Sequence, residues 1–168
     1  MTTIEEAIKS AVKYESRIRD IYREATEAVE DRVGKRIFET LCKEEQNHID
    51  YLEYKLEQLQ SSGTIVAERL DSEIPSQEVI NRESEKIKSL VSKDFLGVRR
   101  QMLSKALKVE IETSDFYQKM VNELPAEGRA LFERFLEIEN NHVKAVQFEL
   151  DHLSKTGYWF DIKEFDME

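Results

Sequence analysis

Glycine and proline are scarce in this chain: five and two residues, respectively, among 168. A fold of many short strands and tight turns would need far more of both. An all-β architecture is therefore excluded, and long uninterrupted helices are favoured. Cysteine is scarcer still. The single Cys42 cannot close an internal disulfide or supply a four-thiolate metal site, and it suits a reducing, cytoplasmic setting. Positive charge is also in deficit, with 25 Lys and Arg against 35 Asp and Glu and a formal net charge of −10. That balance argues against nucleic acid as a partner, because phosphate-backbone binding relies on basic patches. No apolar run approaches the roughly 20 residues needed to cross a bilayer, so no membrane partner is expected. The opening Met1-Thr2-Thr3-Ile4-Glu5-Glu6 lacks the basic and apolar regions of a secretion signal.

What the chain does contain is apolar and charged residues, 40% and 36%, interleaved at helical spacing. Over residues 3 to 31 one stripe runs through Ile8, Ala11, Val12, Ile18, Tyr22, Ala25 and Val29. A second helix is expected over 33 to 60 through Ile37, Phe38, Leu41, Leu52, Leu56 and Leu59, stopped by Ser61-Ser62-Gly63. Residues 64 to 75 read as a loop, and Ser76 is placed to cap a short helix over 77 to 92. A third long helix covers 95 to 123 with Leu103, Leu107, Tyr117, Met120 and Val121 on its stripe. Pro125 marks a turn, and a fourth helix runs to about 155, where Gly157 ends it. The domain reading is a helical bundle over 1–156. An aromatic tail over 157–168 carries Tyr158, Trp159, Phe160, Ile162 and Phe165 and is expected to pack on the bundle or on a partner subunit.

The two halves repeat. Ala11, Lys13, Glu15, Asp20 and Tyr22 recur 95 residues later as Ala106, Lys108, Glu110, Asp115 and Tyr117. Gly34, Phe38, Glu39, Glu45, Asn47 and His48 recur 94 residues later as Gly128, Phe132, Glu133, Glu139, Asn141 and His142. Two copies of a helical hairpin, joined by a long crossover, would make an all-α four-helix bundle.

Each stripe is interrupted by groups that do not belong in an apolar core. Glu15 and Glu110 break the first and third. Glu45 with His48, and Glu139 with His142, break the second and fourth. Residues at i and i+3 project from one helix face, so each Glu and His can reach a common centre. Counting about 1.5 Å per residue from the turns brings all six level near mid-bundle. Buried carboxylates are costly without a compensating positive charge. Four carboxylates balance two divalent cations, with neutral imidazoles completing the shells. Oxygen and nitrogen donors without thiolate suit iron, or manganese as the alternative, better than a closed zinc site. A third Glu-x-x-His, Glu149 and His152, has no partner Glu at its height and is read as surface or helix-end polarity.

This pattern resembles the ferritin-like di-iron family, in particular rubrerythrin-type domains and bacterioferritins, over the four helices. The resemblance implies that Glu15 and His48 hold one ion, Glu110 and His142 the other, and that Glu45 and Glu139 bridge them. Tyr22 and Tyr117, seven residues past Glu15 and Glu110, would donate hydrogen bonds to the ligand carboxylates. The chain departs from the family in three respects. It has no four-cysteine rubredoxin domain. It carries Thr113 where rubrerythrins place an extra Glu. It also carries Gln46 where bacterioferritins ligate haem through Met, so no haem is expected. The implied activity is oxidoreduction toward dioxygen or peroxide. An external electron-donor protein and a homodimer or larger homo-oligomer are expected. The alternatives are an iron-handling ferroxidase or storage subunit, and a helical interaction module stabilised by metal.

Overall fold

The computed structural model describes residues 2–65 and 96–157, and in it the four long segments are helices. We number them α1 (Ile4–Ala28), α2 (Arg32–Ser62), α3 (Leu96–Glu123) and α4 (Ala126–Thr156). Their ends are set by local chemistry. The Thr3 side chain accepts from the Glu6 N–H while the Glu6 carboxylate accepts from the Thr3 N–H, a reciprocal cap that starts α1. Asp31 starts α2 by accepting from the Gly34 N–H at 2.8 Å. At the far ends, Gly63 and Gly157 adopt φ of 75° and 76° and donate their N–H groups back to Leu59 and Leu153. That left-handed geometry is easy for glycine alone, so both helices stop where the sequence predicts. Ser61 and Ser62 belong to the last turn of α2 rather than to the break. Thr64 and Ile65 are non-helical, as expected of a loop. The rest of the crossover, its short helix over 77 to 92 and the aromatic residues from Tyr158 onward lie outside the described residues.

α1 packs along α2, α3 packs along α4, and α1 also meets α3, giving the expected ferritin-like four-helix bundle. Its core falls into two apolar blocks. One gathers Ile18, Tyr22, Ala25, Phe38, Leu41, Leu103, Ala106, Val146 and Leu153, among others. The other gathers Ala7, Ile8, Ala11, Leu52, Tyr117, Met120, Phe132 and Phe135. On every helix the polar interruptions read in the sequence fall between the two blocks, so they gather at the waist of the bundle. The stripes differ slightly from those read in the sequence: Ala7 and Ile21 are fully or nearly fully buried, while Val12, Leu56, Leu59, Leu107 and Val121 sit at the margin.

The repeated glycines have a steric reason. A Cβ on Gly34 would lie 2.6 Å from Val29 Cγ1 and 2.9 Å from Asp31 Oδ1, and one on Gly128 would lie 2.8 Å from Ile4 Cγ1. Gly34 thus faces the chain that folds back just before its own helix, whereas Gly128 faces the first residue of α1. Gly34→Ala should therefore push Asp31 off its cap and lower stability by about 1–3 kcal/mol in urea unfolding. Gly97→Ala, where nothing lies within 4 Å, should leave stability unchanged or raise it.

Candidate metal centre

Glu15 on α1, Glu45 and His48 on α2, Glu110 on α3, and Glu139 and His142 on α4 are all 0% exposed and converge at the waist of the bundle. The His48 Nδ1 atom lies 3.5 Å from Glu15 Oε2, 3.2 Å from Glu45 Oε2 and 3.6 Å from Glu139 Oε1. The His142 Nδ1 atom lies 3.0 Å from Glu45 Oε1, 3.7 Å from Glu139 Oε1 and 3.9 Å from Glu110 Oε1. Glu45 thus offers one oxygen to each imidazole, and Glu139 Oε1 lies almost midway between them. Glu15 approaches only His48, and Glu110 only His142. The donor atoms of Glu45, His48, Glu139 and His142 lie within 4.8 Å of one another, close enough to hold a metal ion.

None of these approaches has the geometry of a hydrogen bond. Glu15 Oε2, Glu110 Oε2, both oxygens of Glu45 and Glu139, and both nitrogens of His48 and His142 are buried without a hydrogen-bond partner. Native interiors satisfy nearly all such atoms. A cluster of orphaned oxygen and nitrogen donors is what a cation would complete, so these residues fit bound metal.

Protons take that role in the metal-free protein. Burial pushes the Glu45 carboxyl up to about 8, helped by the neighbouring charges of Glu15 and Glu110. Burial, then Glu15 and Glu110, hold Glu139 well above the carboxylate range. For His142 burial favours the neutral ring, but the facing carboxylates, Glu45 first, outweigh it and raise the pKa to about 10. His48 moves the same way, with Glu15 overcoming burial. Glu15 goes against the trend. Its burial is outweighed by contacts with Glu45 and His48, and its pKa falls to about 2.

Two tyrosines cross between the hairpins. Tyr22 on α1 donates to Glu110 Oε1 on α3 at 2.6 Å, and Tyr117 on α3 donates to Glu15 Oε1 on α1 at 2.6 Å. Burial and the adjacent carboxylates hold both phenols well above their usual pKa, so the protons stay on the donors. Each tyrosine occupies Oε1 of its partner and leaves Oε2 buried without a hydrogen bond. Aromatic packing seals one side: Tyr117 stacks on Phe135 at 5.3 Å, and Phe135 meets His48 edge-on at 5.6 Å.

The third Glu-x-x-His needs correcting. Glu149 is buried rather than at the surface, and only His152 is partly exposed, stacked on Phe148 at 5.9 Å. The reason is periodicity: Glu149 lies two turns past His142 and so shares its inward face. Neither residue joins the central cluster among the described residues. Lys55, two turns past His48, is buried for the same reason, with its ammonium 5.4 Å from the centroids of the Tyr51 and Tyr54 rings. Thr113, fully buried, turns its hydroxyl back onto the Val109 carbonyl at 2.7 Å. Sequence reasoning also missed Glu44, which is buried beside both histidines.

A four-helix bundle with paired carboxylates and imidazoles at mid-core defines the class: a ferritin-like protein with a cluster compatible with metal binding. The family is given by the sequence. The rubrerythrin model matches residues 6–150, and the chain belongs to the rubrerythrin family. A solved ferritin-like, diiron-carboxylate protein from Bacillus anthracis str. Ames is similar at 18% identity and a TM-score of 0.43, covering 88% of this chain and 94% of that one. So distant a likeness adds nothing to the assignment. No curated protein matches the chain. Among the described residues, no helix is long and apolar enough to cross a membrane.

Proposed function

We propose that this chain is a di-iron carboxylate protein that reacts with dioxygen or peroxide, with Glu15, Glu45, His48, Glu110, Glu139 and His142 as its ligands. The observation that supports this reading is the set of orphaned donor atoms, arranged as two overlapping half-sites. Glu15 with His48 would hold one ion and Glu110 with His142 the other, and Glu45 and Glu139, lying between the two imidazoles, would be shared by both. Four carboxylates balance two divalent charges. When bound, the two ions supply electrons and open coordination positions for dioxygen or peroxide.

The remaining work falls to the chain. Tyr22 and Tyr117 hold Oε1 of the end carboxylates and leave Oε2 of each unsatisfied and able to bind a metal. Phe135, Phe132 and the two apolar blocks keep bulk water from the waist. The one cysteine cannot build an iron–sulfur centre of four thiolates, and we infer that electrons return from a separate donor protein.

An anaerobic titration with ferrous ion, followed by peroxide or air, tests the reading. Binding should saturate at about two ions per chain, and oxidation should raise the near-ultraviolet absorption. Saturation without any optical response to either oxidant would sink the redox assignment while leaving metal binding in place.

A further inference from the structure

We propose that Glu44 is a positioning residue shared by both histidines, receiving the Nε2–H of His48 and of His142 and so turning both Nδ1 atoms toward the metal cavity. Glu44 is almost fully buried, and its Oε1 lies 3.6 Å from His48 Nε2 and 3.5 Å from His142 Nε2. The two rings are close to parallel, 13° apart with centroids at 5.3 Å, so their Nε2 edges face the same oxygen. A carboxylate oxygen has two lone pairs and can accept from both. At these separations the contacts stand just outside hydrogen-bonding range. Such bonds are often long before a site is filled and tighten when it is.

Glu44 is not a seventh ligand. The Nδ1 edges face Glu15, Glu45, Glu110 and Glu139, whereas Glu44 lies against the opposite edges of the same rings. A neutral imidazole carries one proton, and the acceptor at one nitrogen decides which nitrogen is left to bind a metal. With Glu44 behind both rings, the protons are held at Nε2 and both Nδ1 lone pairs face inward. The repeat makes the arrangement one-sided. The position matching Glu44, 94 residues later, is the buried Ile138, so one carboxylate serves two histidines.

This inference rests on the metal-pair reading, and zinc(II) loading of the full chain separates the two. In the wild type, imidazole nitrogen NMR of the zinc-loaded protein should show both histidines protonated at Nε2, with slowly exchanging N–H signals. Glu44→Ala should weaken zinc binding about 10–100-fold and remove the exchange protection at both rings. Glu44→Gln should keep it at both rings, since an amide oxygen in the place of Oε1 also has two lone pairs and can accept from both. Far-ultraviolet circular dichroism of Glu44→Ala serves as the check that the variant is folded. Unchanged zinc affinity and N–H protection in Glu44→Ala would overturn the proposal. Loss of one whole ion with the other untouched would also overturn it. If the wild type binds neither zinc nor iron, the metal-pair reading itself falls.

Discussion

Replacing Glu45 or Glu139 by alanine is expected to abolish binding of both ions while leaving a folded helical protein. Each carboxylate lies between the two imidazoles, so its removal opens both half-sites at once. Loss of an outer partner of a metal ligand already costs about 10–100-fold in affinity, and loss of a bridge should exceed the upper end of that range. Glu15→Ala, which touches only the His48 side, should cost chiefly one ion. Glu149→Ala should leave the stoichiometry intact, because that carboxylate lies outside the cluster. Metal analysis of the purified variants, with far-ultraviolet circular dichroism as the fold check, decides the matter. A Glu149→Ala variant as depleted as Glu45→Ala would mean that the site is misplaced.

Without metal, the melting temperature should fall as pH rises from about 6 to 9. Glu45 is raised to about 8 from an ordinary 4.5, so its contribution to stability is complete below 4.5 and lost as pH climbs through 8. His142, raised to about 10 from 6.5, contributes fully below 6.5 and loses its contribution through 10. Glu139 and His48 shift in the same direction. Glu15 has the opposite sign, but its window lies between 4.5 and about 2, below the range in question. Each proton held only by the folded state is worth about 1.4 kcal/mol per pH unit. The expected drop is on the order of 10 °C over this range for a chain of this size. Ions occupying the site displace those protons, so their stabilisation should grow with pH and oppose the decline. Calorimetry with and without a chelator reads both trends. A metal-free melting temperature that is flat or rising from pH 6 to 9 would contradict the protonated cluster.

The helices were legible from their apolar spacing and from two glycines that alone turn left-handed easily, whereas the Thr3–Glu6 and Asp31 caps emerged only in the structure. The six central residues stood out for a different reason, since charge within an apolar stripe is costly and the pattern occurs twice. Glu44 was hidden by its neighbour. In the run Glu44-Glu45 the second residue accounts for the motif, and the first looks like ordinary surface charge. The signal was its i, i+4 relation to His48, which places it against the far edge of that ring. Glu149 and Lys55 were missed although both lie seven residues past a site histidine. The same interval had correctly placed Tyr22 and Tyr117 inside. Long charged side chains are presumed to reach water, and only packing shows that these two do not.

The crossed tyrosines bear on what each hairpin is by itself. Tyr22 serves the carboxylate of the opposite half, and Tyr117 returns the contact, so neither hairpin contains the donor for its own Glu. A hairpin cut from this chain would carry a phenol without an acceptor and a carboxylate without a donor. Each unfinished end matches the one its twin would present. The chain is in this respect a two-fold pair threaded on one polypeptide, and its polar waist is the seam where the two halves complete each other.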